Sequence, residues 1–295
     1  MKNLLYASLI VVLLAIPASA KVADFDGDGK TDLSVFRPSD GFWYVDRSLL
    51  GFSAFNWGIS TDSPVPGDYD GDQKTDLAVF RPVSDGSLPD FYILRSSDST
   101  ISYVSWGLPG DTPVVADYDG DLKDDVAVWR QSNNRWYVNK SSDGSLQSFV
   151  NSSNGRPATG DFDGDGRADF VNYMGGEWWV ARSGSNYQIM VLPAGGGGQD
   201  RPVASDYDGD GRTDAAVYFF STGTWFIRYS GGGTASIRWG ISTDIPVPGD
   251  YDGDSKADIA VYRNGIWYIL LSSGPIWYRY FGLSVDIPIP NRYLP

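Results

Sequence analysis

The sequence contains no cysteine and no histidine, and among its 37 acidic residues there is a single glutamate, Glu177. Without cysteine there can be no disulfide framework, thiol nucleophile or zinc–thiolate site. Without histidine there is no Ser-His-Asp triad, no imidazole general base and no histidine-ligated metal. Basic residues are also scarce: 23 Lys and Arg leave a formal net charge of -14. Nucleic acid is therefore a poor partner, because phosphate contacts need clustered cations. Long apolar runs are confined to the first 20 residues, where Met1-Lys2, an apolar stretch from Leu4 to Ile16 and the small residues Pro17-Ala18-Ser19-Ala20 follow one another. This is the form of a secretory signal peptide, 1–20, cleaved after Ala20. The apolar stretch falls short of the ~20 residues that cross a bilayer. The expectation is a mature chain with no membrane span, exported to the extracellular space, the periplasm or the cell surface.

What is present is a repeat. Asp24-Phe25-Asp26-Gly27-Asp28-Gly29-Lys30-Thr31-Asp32 recurs with starts at Asp68, Asp117, Asp161, Asp206 and Asp250, a period of 44 to 49 residues. Each copy leads into a short apolar stretch such as Leu77-Ala78-Val79-Phe80. An aromatic pair follows: Trp43-Tyr44, Phe91-Tyr92, Trp136-Tyr137, Trp178-Trp179, Trp225-Phe226 or Trp267-Tyr268. Most units then show an aromatic-Gly step (Trp57-Gly58, Trp106-Gly107, Trp239-Gly240, Phe281-Gly282), and a Pro-apolar segment leads to the next loop. Short β-branched and aromatic runs punctuated by Gly, Pro, Asp and Ser are strands. Four of them per ~45-residue unit is the period of a propeller blade. The spacing predicts an all-β, six-bladed β-propeller filling 21–295 as one domain, with blades starting near 21, 62, 111, 155, 200 and 244. A seven-bladed ring and an open β-solenoid are the alternatives. A solenoid needs polar caps, whereas here the two ends complete one unit. The segment 286–290 copies Asp244-Ile245-Pro246-Val247-Pro248 and stops without a loop, while the first loop lacks that lead-in. The C-terminal strand is expected to close the ring in the first blade and remove the open sheet edges.

The aspartate loops read as metal sites. Positions 1, 3, 5, 7 and 9 are Asp24, Asp26, Asp28, Lys30 and Asp32 in the first copy and Asp68, Asp70, Asp72, Lys74 and Asp76 in the second. The third and fourth hold Asp117, Asp119, Asp121, Lys123, Asp125 and Asp161, Asp163, Asp165, Arg167, Asp169. The last two hold Asp206, Asp208, Asp210, Arg212, Asp214 and Asp250, Asp252, Asp254, Lys256, Asp258. Four carboxylates on one tight turn repel unless a cation sits among them. The basic residue at position 7 can offer only its backbone carbonyl, so its side chain must point away. All-oxygen, multi-carboxylate ligation suits calcium, about six ions in all, over zinc, copper or magnesium. An EF-hand would need Glu at position 12, which here is Val35, Val79, Val128, Asn172, Val217 or Val261, so closure falls to the aspartate at position 9. Position 4 is always Gly, whereas Gln73, Leu122 and Ser255 stand at position 6 in three loops, which are expected to be strained there. After loss of Lys2 the chain carries 37 acids against 22 bases, or -15, and six divalent ions would bring it to -3. The ions are therefore expected to be structural.

The pattern Asp-x-Asp-Gly-Asp-Gly-x-x-Asp followed by an apolar strand resembles the FG-GAP and VCBS repeats of integrin alpha-subunit propellers and many secreted bacterial proteins. The resemblance covers 21–290. It implies calcium loops joining the first and second strands of each blade, and a role in adhesion or ligand binding. A calcium-containing fungal lectin of this repeat type binds sugar between blades, which favours carbohydrate as a ligand. Integrin-type propellers have seven blades, against six counted here.

The functional expectation is a secreted, non-catalytic binding or adhesion module for glycans or extracellular surface proteins, with ligand-binding residues that the repeat does not specify. A structural or assembly component of the cell surface or matrix is the alternative, and a polysaccharide-active enzyme the less favoured one. Glycoside cleavage needs a carboxylate pair. The acids outside the loops include Asp62, Asp111, Asp200, Asp244 and Asp286, which share one repeat position and read as turn formers. Eleven Trp are mostly blade core. Tyr103, Tyr187 and Tyr278 are the aromatic residues expected to face ligand. Arg37, Arg81, Arg130 and Arg263 share a position at which they could rim a pocket, and pairing with nearby aspartates is favoured. Blade four departs most from the pattern, with Asn172-Tyr173-Met174 and the run Gly195 to Gly198, and is the first place to seek a ligand site.

Overall fold

The four-residue runs after the aspartate loops, such as Leu77–Phe80, are buried on both sides because each sheet is covered by a neighbour on either face. A computed structural model describes residues 23–83, 88–151, 155–197 and 200–290. The expected signal peptide and Gly198 lie outside the described residues. Six four-stranded antiparallel sheets follow one another, and helix among the described residues is limited to two three-residue 3-10 turns. Blade two, from its inner edge outward, is Ser63–Pro64, Leu77–Phe80, Phe91–Leu94 and Ile101–Val104. Blade three is Thr112–Pro113, Val126–Arg130, Arg135–Asn139 and Leu146–Val150, and blade four Arg156–Ala158, Phe170–Met174, Glu177–Arg182 and Gln188–Pro193. Blade five is Arg201–Pro202, Ala215–Phe219, Thr224–Arg228 and Thr234–Arg238; blade six is Ile245–Pro246, Ile259–Arg263, Ile266–Leu270 and Ile276–Tyr280. In blade one the inner strand comes from the other end of the chain. Ile287–Pro288 pairs antiparallel with Leu33–Arg37, which continues to Phe42–Arg47 and Gly51–Asn56. The expected closure of a six-bladed ring is what the chain adopts.

The core is divided among the six junctions between blades. At the junction of blades one and two, Phe36, Trp43 and Val45 meet Leu77 and Val79. At the junction of blades six and one, Trp267 and Tyr262 meet Leu33 and Val35. The first residue of the aromatic pair supplies the largest share of buried surface: Trp43, Phe91, Trp136, Trp178, Trp225 and Trp267 are all fully buried. The aromatic-Gly step serves these indoles. Trp43, Trp225 and Trp267 donate Nε1–H to the carbonyls of Trp57, Trp239 and Phe281 at 2.7–2.8 Å. Blades three and four lack the step, and there the Trp136 and Trp178 Nε1 atoms have no acceptor. The step residue also reaches forward, as when Trp57 Nε1 donates to the Tyr92 carbonyl of the next blade at 3.2 Å. In blade three Asn151 replaces it, donating Nδ2 to the Trp179 carbonyl at 3.1 Å.

The recurrent aspartates and arginines pair, as favoured from the sequence. Arg81 lies bidentate on Asp62 at 2.6 and 2.7 Å, and Arg37–Asp286, Arg130–Asp111 and Arg263–Asp244 repeat the arrangement. Each such aspartate also accepts a backbone N–H three residues back, Ile59 in the case of Asp62 at 2.8 Å, so it forms the turn and anchors the guanidinium together. The Asp62 carboxylate is fully buried while Arg81 is one-quarter exposed. Arg81→Ala leaves that carboxylate uncompensated and is expected to cost about 3 kcal/mol. Asp62→Asn with Arg81→Met is expected to cost clearly less. Urea denaturation of the two variants checks this, and equal losses would show that the charge is irrelevant.

Candidate metal centres and the channel mouth

In blades two to six the aspartate loop joins the inner strand to the second strand, and in blade one it leads into the second strand alone. Acids at positions 1, 3 and 5 would repel along one face of an extended strand, and the glycines let the chain coil instead. Gly at position 4 has φ between 77° and 83° in all six loops. Position 6 is left-handed even where it is not glycine: Gln73, Leu122 and Ser255 have φ of 67° to 69°, the strain expected from the sequence.

The carboxylates converge. Ligand oxygens of Asp24, Asp26 and Asp32 lie within 4.8 Å of one another, as do those of Asp68, Asp70, Asp76, of Asp117, Asp119, Asp125 and of Asp161, Asp163, Asp169. In the fifth loop the convergent group is Asp206, Asp208 and Asp210. The position-1 carboxylate closes the turn by accepting backbone N–H groups, Gly27 at 2.7 Å and Gly29 at 2.9 Å in the first loop. At position 3, Oδ1 of Asp26, Asp163 and Asp252 is buried with no hydrogen-bond partner. A buried acceptor without a donor is costly, and its place among convergent carboxylates fits a hard cation. Burial pushes the position-9 carboxyls up, to about 6 in Asp76 and Asp125 and to about 7 in Asp32, Asp169, Asp214 and Asp258. Neighbouring aspartates push in the same direction, and hydrogen bonds from Ser48 and Phe25 onto Asp32 pull the other way.

Two features of these loops escaped the reading of the sequence. The first is a serine. Ser48, Ser96, Ser141, Ser183, Ser230 and Ser272 each donate N–H to the position-9 carboxylate at 2.6–2.7 Å. Each also donates Oγ–H to the position-5 carboxylate at 2.5–2.9 Å. The turn after the third strand is thereby fastened to the aspartate loop. The signal was available, because each serine stands five residues after the first member of its aromatic pair. The second feature is a belt. The position-8 N–H donates to the position-1 carbonyl of the preceding loop at every junction, from Thr75→Asp24 at 2.7 Å round to Thr31→Asp250 at 2.6 Å. The basic side chain at position 7 does point away from the carboxylates, and its stem crosses the position-4 glycine of the preceding loop. An added Cβ on Gly27 would stand 3.1 Å from Lys74, and one on Gly253 would stand 3.1 Å from Lys30. The uniform glycine is thus explained by a neighbour as well as by its φ.

A cavity of about 780 Å³ opens where the inner strands of blades two to five approach the axis. Ser63 pairs with Phe80 and Pro64 with Val79, so Asp62 and Arg81 sit at the strand ends away from the loop 68–76. The Asp–Arg pairs therefore rim the end of the channel opposite the aspartate loops. Blade four contributes Arg156 and blade five Arg201 to the cavity wall. The expected ligand-facing tyrosines divide. Tyr187 is half-buried, packing on Phe149 and Phe170 at the junction of blades three and four. Tyr103 and Tyr278 are exposed, but both stand on outer strands opposite Tyr92 and Tyr268 in the same register, so they follow the repeat.

Residues 117–172 match the family model of the FG-GAP-like repeat. No curated protein matches the sequence. Among solved structures, the chain is similar to an Agrocybe aegerita lectin that recognises non-reducing terminal N-acetylglucosamine (14% identity, 85% of this chain and 75% of that one, TM-score 0.54). It is equally similar to a streptogramin B lyase (11%, 91% and 85%, TM-score 0.54). A catalytically inactive histidine-to-alanine variant of virginiamycin B lyase from Staphylococcus aureus, with quinupristin, also matches (8%, 91% and 95%, TM-score 0.53). At these identities the likeness is one of fold. The match spans the third aspartate loop through the second strand of blade four, and the same loop and strand recur in every other blade: residues 117–172 are an FG-GAP-like repeat within a six-bladed β-propeller.

Proposed function

We propose that this protein is a secreted, calcium-stabilised propeller that binds glycans without acting on them. The observation that carries the metal assignment is the set of orphaned position-3 oxygens buried among convergent carboxylates. Positions 1, 3, 5 and 9 of each loop, with the position-7 carbonyl, would hold the ion. It would neutralise the cluster and lock the turn that the conserved-spacing serine fastens to the rest of the blade. Glycan binding is supported by the lectin fold neighbour and by the channel mouth, where Ser, Thr, Gln and Arg side chains alternate with aromatic rings. The lyase neighbours share the fold to the same degree, but a histidine-to-alanine change inactivates one of them, and this chain has no histidine. Export follows from the residue pattern of 1–20.

A glycan array run with calcium and again with chelator tests the reading. Binding to defined glycans that disappears with calcium is expected. Turnover of a polysaccharide in an activity screen would make the protein an enzyme, and calcium-dependent self-association without glycan binding would favour the matrix-component alternative.

A further inference from the structure

Four blades carry the Asp–Arg pair at the channel mouth; blades four and five do not. Blade four has Gly155 and Met174 at the two positions, and blade five has Asp200 and Phe219. The aromatic partner changes with them. Arg37, Arg81, Arg130 and Arg263 lie over tyrosine rings at 4.2–4.6 Å, whereas Phe219 stacks on Phe226 at 6.4 Å. The same two blades place an arginine at the next residue of the inner strand, Arg156 and Arg201, where the other four have Ile287, Ser63, Thr112 and Ile245. The Asp–Arg pair is absent from both blades, Asp200 alone remaining of it in blade five, and each blade sets an arginine into the channel wall instead.

Neither arginine forms an ion pair among the described residues. Arg156 Nη1 donates to the Asp200 carbonyl at 3.4 Å, and the Arg201 guanidinium lies 5.1 Å above the Phe220 ring. Of the nearby carboxylates, Asp111 holds Arg130, while Asp200 accepts the Gly197 N–H at 2.7 Å, the turn bond that the paired aspartates also make, and carries no arginine among the described residues. Arg201 is half-buried, and that burial together with the neighbouring Arg156 charge lowers its pKa. Two neighbouring cations, Arg156 exposed and Arg201 half-buried, repel each other alone and are favourably placed around an anion. Gln131, Thr112, Trp129 and Phe220 line the same cavity, supplying hydrogen-bonding groups and apolar ring surface next to the charge.

We propose that the channel mouth binds an acidic saccharide, whose carboxylate or sulfate group is held between Arg156 and Arg201. The saccharide part rests on the glycan-binding reading above; the anion contact rests on the arginine pair alone.

The test uses the calcium-loaded mature protein, its R156Q and R201Q variants, and three probes followed by calorimetry: trigalacturonate, neutral galactotriose and sodium sulfate. Trigalacturonate is expected to bind at least tenfold more tightly than galactotriose. Each substitution should weaken it about tenfold, and added sodium chloride should weaken it in the wild type. Metal content and melting temperature should stay unchanged in both variants, since neither arginine is ion-paired. Arginine-dependent sulfate binding with no saccharide bound would keep the anion site and refute its glycan ligand. Equal binding of acidic and neutral saccharides, indifferent to both substitutions, would overturn this inference and leave the glycan reading standing. Failure of both sulfate and trigalacturonate to bind the wild type would overturn the site itself.

Discussion

Chelation of divalent cations is expected to lower the melting temperature of the mature protein by on the order of 30 °C, or to unfold it outright. An ion that binds only the folded state at a hundredfold excess over its Kd stabilises by about 2.7 kcal/mol per site. Six independent loops would together contribute ~16 kcal/mol, and a domain of this size shifts by roughly 2–4 °C per kcal/mol. The serine ties and the belt hold each loop's backbone in place, and in doing so they keep carboxylate oxygens within 4.8 Å of one another, a repulsion that only a cation relieves. Differential scanning calorimetry with and without chelator, paired with elemental analysis, measures the effect. An unchanged transition in metal-free protein would refute the structural role of the ions. The pH dependence gives a second handle. An unfolded aspartate titrates near 3.9, while burial pushes the position-9 groups up to about 6 or about 7 in the folded chain. Between about pH 4 and pH 7 the folded metal-free chain thus binds more protons than the unfolded one, so its stability falls as pH rises through that window. Calcium competes with those protons, so the stabilisation it confers should grow over the same window.

A chain that ends at Val285 should fail to hold its ring. It lacks Ile287–Pro288, which pairs with Val35 and Phe36, and Ile289, whose N–H donates to the Ser34 carbonyl at 2.9 Å. Ile289 is 2% exposed and packs with the partly buried Ile287 between blades one and two, so the two side chains together contribute about 3 kcal/mol. Arg37 loses Asp286, its bidentate partner. The total is on the order of 8 kcal/mol, comparable with the whole stability of an ordinary domain, and Leu33–Arg37 becomes a bare edge open to aggregation. The belt of loop hydrogen bonds, closed by Thr31→Asp250, remains but spans only one end of the ring. Soluble yield and melting of the truncated protein, with and without a synthetic peptide of 286–290, provide the measurement. A truncated protein that melts within a few degrees of the intact one would show that the belt suffices.

The blade count, strand order and ring closure were legible because they are consequences of periodicity. Every unit repeats the same loop, the same apolar run and the same aromatic pair, and the missing half-units at the two ends can only complete each other. The crowding of acids was legible for the same reason: carboxylates at alternate positions of one tight turn converge. The pairing of Arg81 with Asp62 could be anticipated from a shared spacing. The packing of Tyr187 on Phe149 and Phe170 was not legible, because spacing along the chain does not say which residue of the turn before an outer strand meets the neighbouring blade.

The sequence by itself determined the local units: where the chain turns, which residues are apolar, and which oxygens crowd together. Only the tertiary structure decided what one unit does to the next. The lysine stem over the preceding loop's glycine, the serine tie onto two carboxylates and the two unpaired arginines in the channel wall all join residues that are distant in the chain or in different blades. A repeat records the contacts made inside each copy, because identical copies show them as fixed spacings. Contacts between copies, and the places where symmetry is broken, depend on how the units are rotated about a common axis, and that rotation is set by side-chain packing at the junctions.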